Sequence, residues 1–91
     1  MKKFNPSFGV YVCEKVFNKD SPILFSVRDF DGDWQFLCGD CECVENTEPH
    51  LVGVGHLVAV DASIDELTAL NPGEYAERIE SNQPWEFGKL D

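Results

Sequence analysis

The chain has 91 residues, a net charge of −10 at pH 7 and 43% apolar or aromatic residues. This length fits one small domain, and the apolar fraction excludes a disordered chain despite the charge. The longest apolar stretch, residues 51–60, contains two glycines and a histidine and is far shorter than the ~20 residues of a membrane span. No apolar secretion signal follows Met1, so we expect one cytoplasmic domain over residues 1–91, with its core at about 8–87.

Acidic residues outnumber basic ones by 17 to seven, and Arg28 is the only basic side chain between Lys19 and Arg78. Nucleic acid and anionic membranes are therefore not expected as partners, because both require clusters of Lys and Arg. An acidic surface favours a basic protein partner, through steering and complementary interface charge. The same excess of acid is also typical of a small domain that simply has to stay in solution.

The N-terminal region predicts a strand followed by a turn. Residues 8–13 combine β-branched, aromatic and cysteine side chains after Pro6, which is typical of a strand. Residues 18–22 then gather Asn, Asp, Ser and Pro, a composition that favours a turn.

A hairpin is the most specific prediction of the first half of the chain. Residues 23–29 and 34–38 flank the pair Asp31-Gly32, a strong short-range hairpin signal. If this pair forms a two-residue loop, Val27 faces Phe36 across the hairpin. That register separates the two faces. One face then carries Ile23, Phe25, Val27, Trp34, Phe36 and Cys38, and the other carries Ser26, Arg28 and Gln35.

The middle of the chain predicts a loop and a further strand. Residues 39–50 are polar and acidic, and we expect them to form a surface loop. Residues 51–55 indicate a short strand with apolar residues on both faces, which suits a central position or cover by helices. Residues 56–60 either extend this strand or begin a helical turn, because periodicity does not distinguish the two.

Two short helices are expected in the C-terminal half. Residues 63–66 fit a capping box, and Ile64, Leu67 and Leu70 follow at a spacing of three. Residues 71–74, Asn-Pro-Gly-Glu, can start a second helix, with a buried stripe of Tyr75, Ala76 and Ile79. Residues 85–87 indicate a terminal strand or a packed tail. The order predicts an α+β fold with an antiparallel sheet of about four to five strands and two short helices.

The cysteines raise the possibility of a metal site. Cys38, Cys41 and Cys43 lie within six residues, and Cys13, His50 or His56 could supply a fourth zinc ligand. Structural zinc sites usually draw on two Cys-x2-Cys knuckles, and only one is present. The acidic residues between the thiols also disfavour thiolates. We therefore expect no metal, and keep a zinc module using Cys38, Cys41 and Cys43 as an alternative.

Two other chemistries fit poorly. Asp29, Asp31, Asp33 and Asp40 have the spacing of some calcium-loop ligands, but the glycine stands at the wrong position and strands flank the segment. A nucleophilic set of Cys41 or Cys43 with His56 and Asp61 can be written, but acidic surroundings oppose thiolate activation. We expect no enzymatic activity and no cofactor.

The aromatic residues offer candidates for the core and for an interface. Trp34 lies on the predicted apolar face of the hairpin, so we expect it in the core. Trp85 follows Pro84, and no predicted element assigns its side chain to the core. Because tryptophan is enriched at interface hot spots, Trp85 is the better candidate for an interface.

Three segments together resemble a known family. They are Trp34-Gln35-Phe36-Leu37-Cys38-Gly39-Asp40, the segment around Asp61, and Gly73 with Ala76, Arg78 and Trp85. The pattern resembles small bacterial domains of unknown function that are labelled immunity-protein-like, because some members sit beside polymorphic toxins. The resemblance covers about residues 10–87. It implies a non-enzymatic α+β protein that acts by binding another protein.

Charge and resemblance combine into one functional hypothesis. Many bacterial toxins are basic nucleases, so an acidic immunity-type inhibitor can associate rapidly and cover a cationic active site. The hairpin tip and the following acidic loop are expected to form one negative surface, with a tryptophan as apolar anchor. A self-associating structural or regulatory domain is a further alternative. The predicted partner-binding residues are Asp29, Asp31, Asp33, Asp40, Glu42, Glu45, Glu48 and Trp85.

Overall fold

The structure, a computed structural model, describes residues 3–39 and 48–90. Within these ranges six strands form one sheet in the order β4-β1-β3-β2-β5-β6, in which only β1 and β3 pair in parallel. Two α-helices and a 3₁₀ helix accompany the sheet. The elements are β1 Gly9–Val12, α1 Glu14–Phe17, β2 Phe25–Arg28, β3 Trp34–Leu37, β4 His50–Gly53, α2 Gly55–Val60, the 3₁₀ helix Ala62–Ala69, β5 Glu74–Glu77 and β6 Glu86–Lys89.

The α+β class is confirmed, whereas the number of elements is larger than expected. The described residues form six strands rather than four to five, and three short helices rather than two. Helix α1 lies in the N-terminal half, where no helix was predicted. None of the helices in the described ranges has the length and apolar composition needed to cross a bilayer.

The core lies between one face of the sheet and the 3₁₀ helix. Fully buried Val10 and Phe36 occupy the sheet side, and Ile64, Leu67 and Leu70 occupy the helix side. The short helix predicted here forms as the 3₁₀ helix, and its apolar residues are buried. A spacing of three matches the three residues per turn of a 3₁₀ helix, so every third side chain returns to the same face.

The hairpin forms, but its predicted register was wrong by one residue. Phe25 pairs with Leu37 and Arg28 pairs with Trp34, which leaves a three-residue loop at positions 30–32. Gly32 adopts a left-handed φ of 96°, and its N–H donates to the Asp29 carbonyl at 3.0 Å. This is the three-residue hairpin loop with glycine in the left-handed position. The two-residue loop was therefore the wrong choice, and Phe25 lies on the face opposite the core.

The predicted second helix is instead strand β5, so this prediction was wrong. Gly73 has a left-handed φ of 83°, and the Glu74 N–H donates to the Asn71 carbonyl at 3.0 Å, so residues 71–74 form a turn. A Cβ at Gly73 would lie only 2.7 Å from the Phe30 ring, so the close packing there also requires glycine. The expected buried residue Ile79 is 88% exposed just beyond β5.

The other predicted elements have mixed outcomes. Strands β1 and β4 confirm the predicted strands. Strand β6 settles the alternative at residues 85–87 in favour of a strand, and α2 settles the alternative over 56–60 in favour of a helix. The predicted capping box was wrong. Asp61 caps the 3₁₀ helix by accepting from the Ser63 N–H at 3.0 Å, and the Ser63 hydroxyl bonds to Asp61 and Arg78 instead. Most of the predicted loop over 39–50 lies outside the described residues.

Candidate functional site

Arg78 fastens the start of the 3₁₀ helix to the sheet. Its guanidinium lies 4.0 Å from the centre of the Trp85 ring, and its Nε and Nη2 donate to the Ile23 carbonyl at 3.0 and 2.8 Å. Nη1 donates to the Ser63 hydroxyl at 2.8 Å, and Nη2 forms an ion pair with Asp61. Because every side-chain nitrogen of Arg78 is engaged and buried, this arginine adds little positive charge to the surface.

Arg28 fastens the other end of the same helix. Its guanidinium lies 4.0 Å from the centre of the Trp34 ring and donates to the Leu70 carbonyl at 3.1 Å. The Trp34 indole N–H donates to the Leu67 carbonyl at 3.2 Å. The chain contains two arginines, and both are turned inward to bind the 3₁₀ helix. Among the described residues, the exposed acidic side chains outnumber the exposed basic ones.

Ser63 and Arg78 together determine the charge state of Asp61. Burial favours the neutral acid and acts to raise the pKa of Asp61. The hydrogen bonds from Ser63 and the hydrogen bond and charge of Arg78 outweigh burial, so the pKa of Asp61 lies below its ordinary value. Asp61 is therefore ionised in the folded protein near neutral pH, and its charge is compensated internally.

The sheet face opposite the core carries an acidic groove. Phe25 pairs with Leu37 on one side and with Glu77 on the other, and Glu77 pairs with Glu86, so these four residues form one row across the strands. They line a cavity of about 620 Å³. Leu37 is buried, Phe25 is half-buried, and both glutamates are exposed. The acidic groove is thus an apolar floor with two carboxylates along one side.

Glu77 and Glu86 lie in an unfavourable arrangement for the protein alone. They are direct cross-strand partners on the same face, and like charges in that position destabilise a sheet. Among residues 3–39 and 48–90, neither has an ion-pair partner. A cationic group placed between them would relieve this repulsion.

The structure places Asp29, Asp31 and Asp33 at the turn of the hairpin. The Asp29 carboxylate accepts from the backbone N–H groups of Asp31 at 2.9 Å and Asp33 at 3.1 Å, which closes the turn. Asp29 therefore has a structural task, as expected for an Asx turn. Asp31 and Asp33 are exposed and remain available to a partner.

The predicted acidic residues do not all share one end of the sheet. The hairpin tip precedes β3, whereas Glu48 precedes β4, whose first residue His50 pairs with Val12 beside the last residues of β3. A four-residue strand separates the two ends by about 10 Å. The hairpin tip and Glu48 therefore lie toward opposite ends of the strands, and the expectation of one continuous negative surface stays a prediction. Asp40, Glu42 and Glu45 lie outside the described residues.

The tryptophans differ from their predicted roles in one case. Trp34 packs against the core as expected, in edge contact with Phe4 and Phe8. Trp85 is only 7% exposed, because it stacks on Arg78 and donates to the Ser63 hydroxyl at 3.3 Å. The expectation of an exposed anchor at Trp85 was therefore wrong, since the ring is used inside the fold.

The cysteines that the structure describes lie in the core. Cys13 and Cys38 are buried, and Cys41 and Cys43 lie outside the described residues. Within the described ranges, no group of three or more His, Cys, Asp or Glu side chains is arranged to hold a metal ion. The zinc alternative and the cysteine–histidine set both depend on thiols that the structure does not describe.

Sequence reasoning missed Glu77 and Glu86. A helix over residues 74–79 would have placed Glu77 on a solvated helical face, with no relation to Glu86. The missed signal was the pair Pro72-Gly73, which also fits a turn with glycine in the left-handed position, followed by alternating residues typical of a strand.

The chain matches no family model, and no curated protein or solved structure shows significant similarity to it. The resemblance to immunity-protein-like domains therefore stays a prediction based on the motifs around Trp34, Asp61 and Gly73.

Proposed function

We propose that this chain is a non-enzymatic binding domain that recognises a basic segment of another protein in the acidic groove. The observation that carries the proposal is the row of Phe25, Leu37, Glu77 and Glu86 across one sheet face. Its two carboxylates face each other without an ion-pair partner among the described residues. A Lys or Arg side chain would satisfy both carboxylates while its aliphatic stem covers the apolar floor.

The distribution of charge supports a basic partner. Both arginine side chains are engaged in contacts with the 3₁₀ helix and the residues that flank it. Among the described residues, exposed acidic residues are more numerous than exposed basic ones. Such a surface accelerates association with a cationic protein and disfavours anionic ones.

The resemblance to immunity-protein-like domains supplies a biological setting for this proposal. In that setting the partner is a toxin with a cationic active site, which an acidic domain covers and inhibits. The exposed hairpin-tip residues Asp31 and Asp33 form the second candidate surface, since charge alone favours them as well.

A binding experiment with a charge-matched control distinguishes the two surfaces. The probe is a short synthetic peptide of alternating lysine and leucine, with a peptide of alternating glutamate and leucine as the negative control. We expect Glu77→Gln with Glu86→Gln to weaken binding of the basic peptide roughly tenfold, since two ion pairs are lost. The double variant Asp31→Asn with Asp33→Asn removes the same charge at the hairpin tip and should retain most of the affinity.

Folding stability provides an independent readout of the same variants. Removing the two neighbouring negative charges at Glu77 and Glu86 should raise the free energy of unfolding by about 0.2–1 kcal/mol. The same change should weaken binding of the basic peptide. Equal affinity of the groove variant and the unmodified protein would reject the acidic groove. A larger loss from the hairpin-tip variant would transfer the site to Asp31 and Asp33. Equal binding of the basic and acidic peptides would reject the proposed function.

A further inference from the structure

A second cavity lies on the other side of the sheet, between β1, β4, helix α2 and the segment that follows α1. It has a volume of about 570 Å³, within the range usual for small-molecule sites. Val12 and Val52 line it from the core face of the sheet, and Ile23 and Leu57 line it from the flanking segments. Because these side chains are apolar, the interior of the cavity suits a hydrocarbon group.

Lys19 stands at the mouth of this cavity. It is exposed and lines the cavity, together with the exposed residues His56 and Val60. Among residues 3–39 and 48–90, Lys19 has no ion-pair partner. Asp61 also borders the cavity, but its carboxylate is bound by Arg78 and Ser63. The uncompensated charge at the mouth is therefore positive, in a chain whose net charge is −10.

The backbone of Lys19 adds an independent observation. Among the described residues, Lys19 is the one residue other than glycine that has a positive φ, at 63°. Its N–H donates to the Val16 carbonyl at 3.1 Å, and the Asp20 N–H donates to the Lys15 carbonyl at 2.8 Å, which is the hydrogen-bond pattern that ends a helix with a left-handed residue. Glycine is usual at this position, because a side chain there raises the conformational energy.

We propose that the cavity binds a small amphipathic carboxylic acid, with its hydrocarbon body between Val12, Val52 and Leu57 and its carboxylate on the ammonium group of Lys19. The apolar lining accounts for the body of the ligand, and the uncompensated cation at the mouth accounts for the head group. The presence of lysine where glycine would fold more favourably is a local strain of the kind found at functional positions, and it supports a task for this side chain outside folding. This proposal is independent of the acidic groove, which lies on the opposite face of the sheet.

Three ligands with the same chain length test the head group: octanoate, 1-octanol and octylammonium, each titrated into the protein by isothermal titration calorimetry. We expect octanoate to bind about tenfold more tightly than 1-octanol, the effect of one charge-assisted hydrogen bond, and octylammonium to bind most weakly. Val60→Trp should obstruct the mouth and weaken octanoate and 1-octanol alike. Equal affinities for octanoate and 1-octanol, or tighter binding of octylammonium, would overturn the proposal.

Two substitutions at Lys19 separate charge from backbone conformation. Lys19→Gln should lower the octanoate affinity about tenfold and leave 1-octanol unchanged. Lys19→Gly should lower the octanoate affinity as much as Lys19→Gln does. It should also raise the melting temperature by roughly 4 °C, because glycine adopts the left-handed conformation without steric cost. Lys89→Gln removes the same charge on β6 and is the matched control. Unchanged octanoate binding by both Lys19 variants, or an equal loss in Lys89→Gln, would refute the role of Lys19.

Discussion

Replacing Arg78 by methionine tests whether one guanidinium holds the 3₁₀ helix to the sheet. The change keeps an unbranched apolar stem but removes the bonds of the guanidinium to the Ile23 carbonyl, the Ser63 hydroxyl and Asp61. Breaking a buried ion pair by removing one partner costs about 3–5 kcal/mol. Because the Asp61 side chain keeps 24% of its exposure and can regain some water, we expect a loss of about 3 kcal/mol.

The matched control is Arg28→Met. Arg28 also stacks on a tryptophan and bonds to backbone carbonyls, but it is only half-buried, and its contacts with the described residues include no carboxylate. We expect this variant to lose about 1–2 kcal/mol. Urea unfolding followed by circular dichroism measures both losses. Equal losses, or a loss below about 1 kcal/mol for Arg78→Met, would show that the ion pair with Asp61 does not carry the helix attachment.

Two further stability predictions concern a buried hydroxyl and a buried carboxylate. Ser26 is fully buried and its hydroxyl has no hydrogen-bond partner in the described structure, so Ser26→Ala should raise the free energy of unfolding by about 1 kcal/mol. A decrease in urea unfolding would contradict this expectation. The folded-state pKa of Asp61 is lowered, so its ion pair stabilises the fold above the unfolded-state pKa of about 3.9, and this contribution disappears as the pH falls through the folded-state pKa. The difference in stability between the unmodified protein and Asp61→Asn should therefore shrink in acid unfolding below about pH 4. A constant difference from neutral to acidic pH would show that the charge of Asp61, held by Ser63 and Arg78, contributes nothing to stability.

The sequence predicts the hairpin but not its register, for a physical reason. Asp31-Gly32 suits a two-residue loop, and it also supplies the glycine that a three-residue loop needs in its last position. The two-residue loop gathers the apolar residues on one face of the hairpin. That pattern favours this loop only if the sheet has a single buried face. The sheet has apolar residues on both faces. Phe25 and Val27 face the acidic-groove side, while Ser26 faces the core.

The strand β5 shows a second limit of local patterns. Residues 71–74 contain the Asn, Pro and Gly that serve equally as a helix start and as a tight turn. Pairing of β5 with β2 and β6 selects the turn and strand over the helix. These pairings join distant parts of the chain, so a short stretch of sequence does not reveal them. The acidic residues could therefore be identified from the sequence, whereas the surfaces they share depend on strand pairing. Trp85 is the clearest case, since its contact with Arg78 joins residues on separate segments.

The ion pair between Arg78 and Asp61 lies between the two proposed sites. Asp61 borders the cavity beside Lys19, and its partner Arg78 borders the acidic groove beside Glu77. A change at Arg78 would therefore disturb both sites and the attachment of the 3₁₀ helix together, so a loss of binding in that variant would not identify a site. Lys19 and Glu77 are exposed, and their contacts in the described structure contribute little to folding. Substitutions at these two positions can therefore remove a binding function while the fold stays intact or becomes more stable, which makes them the informative positions.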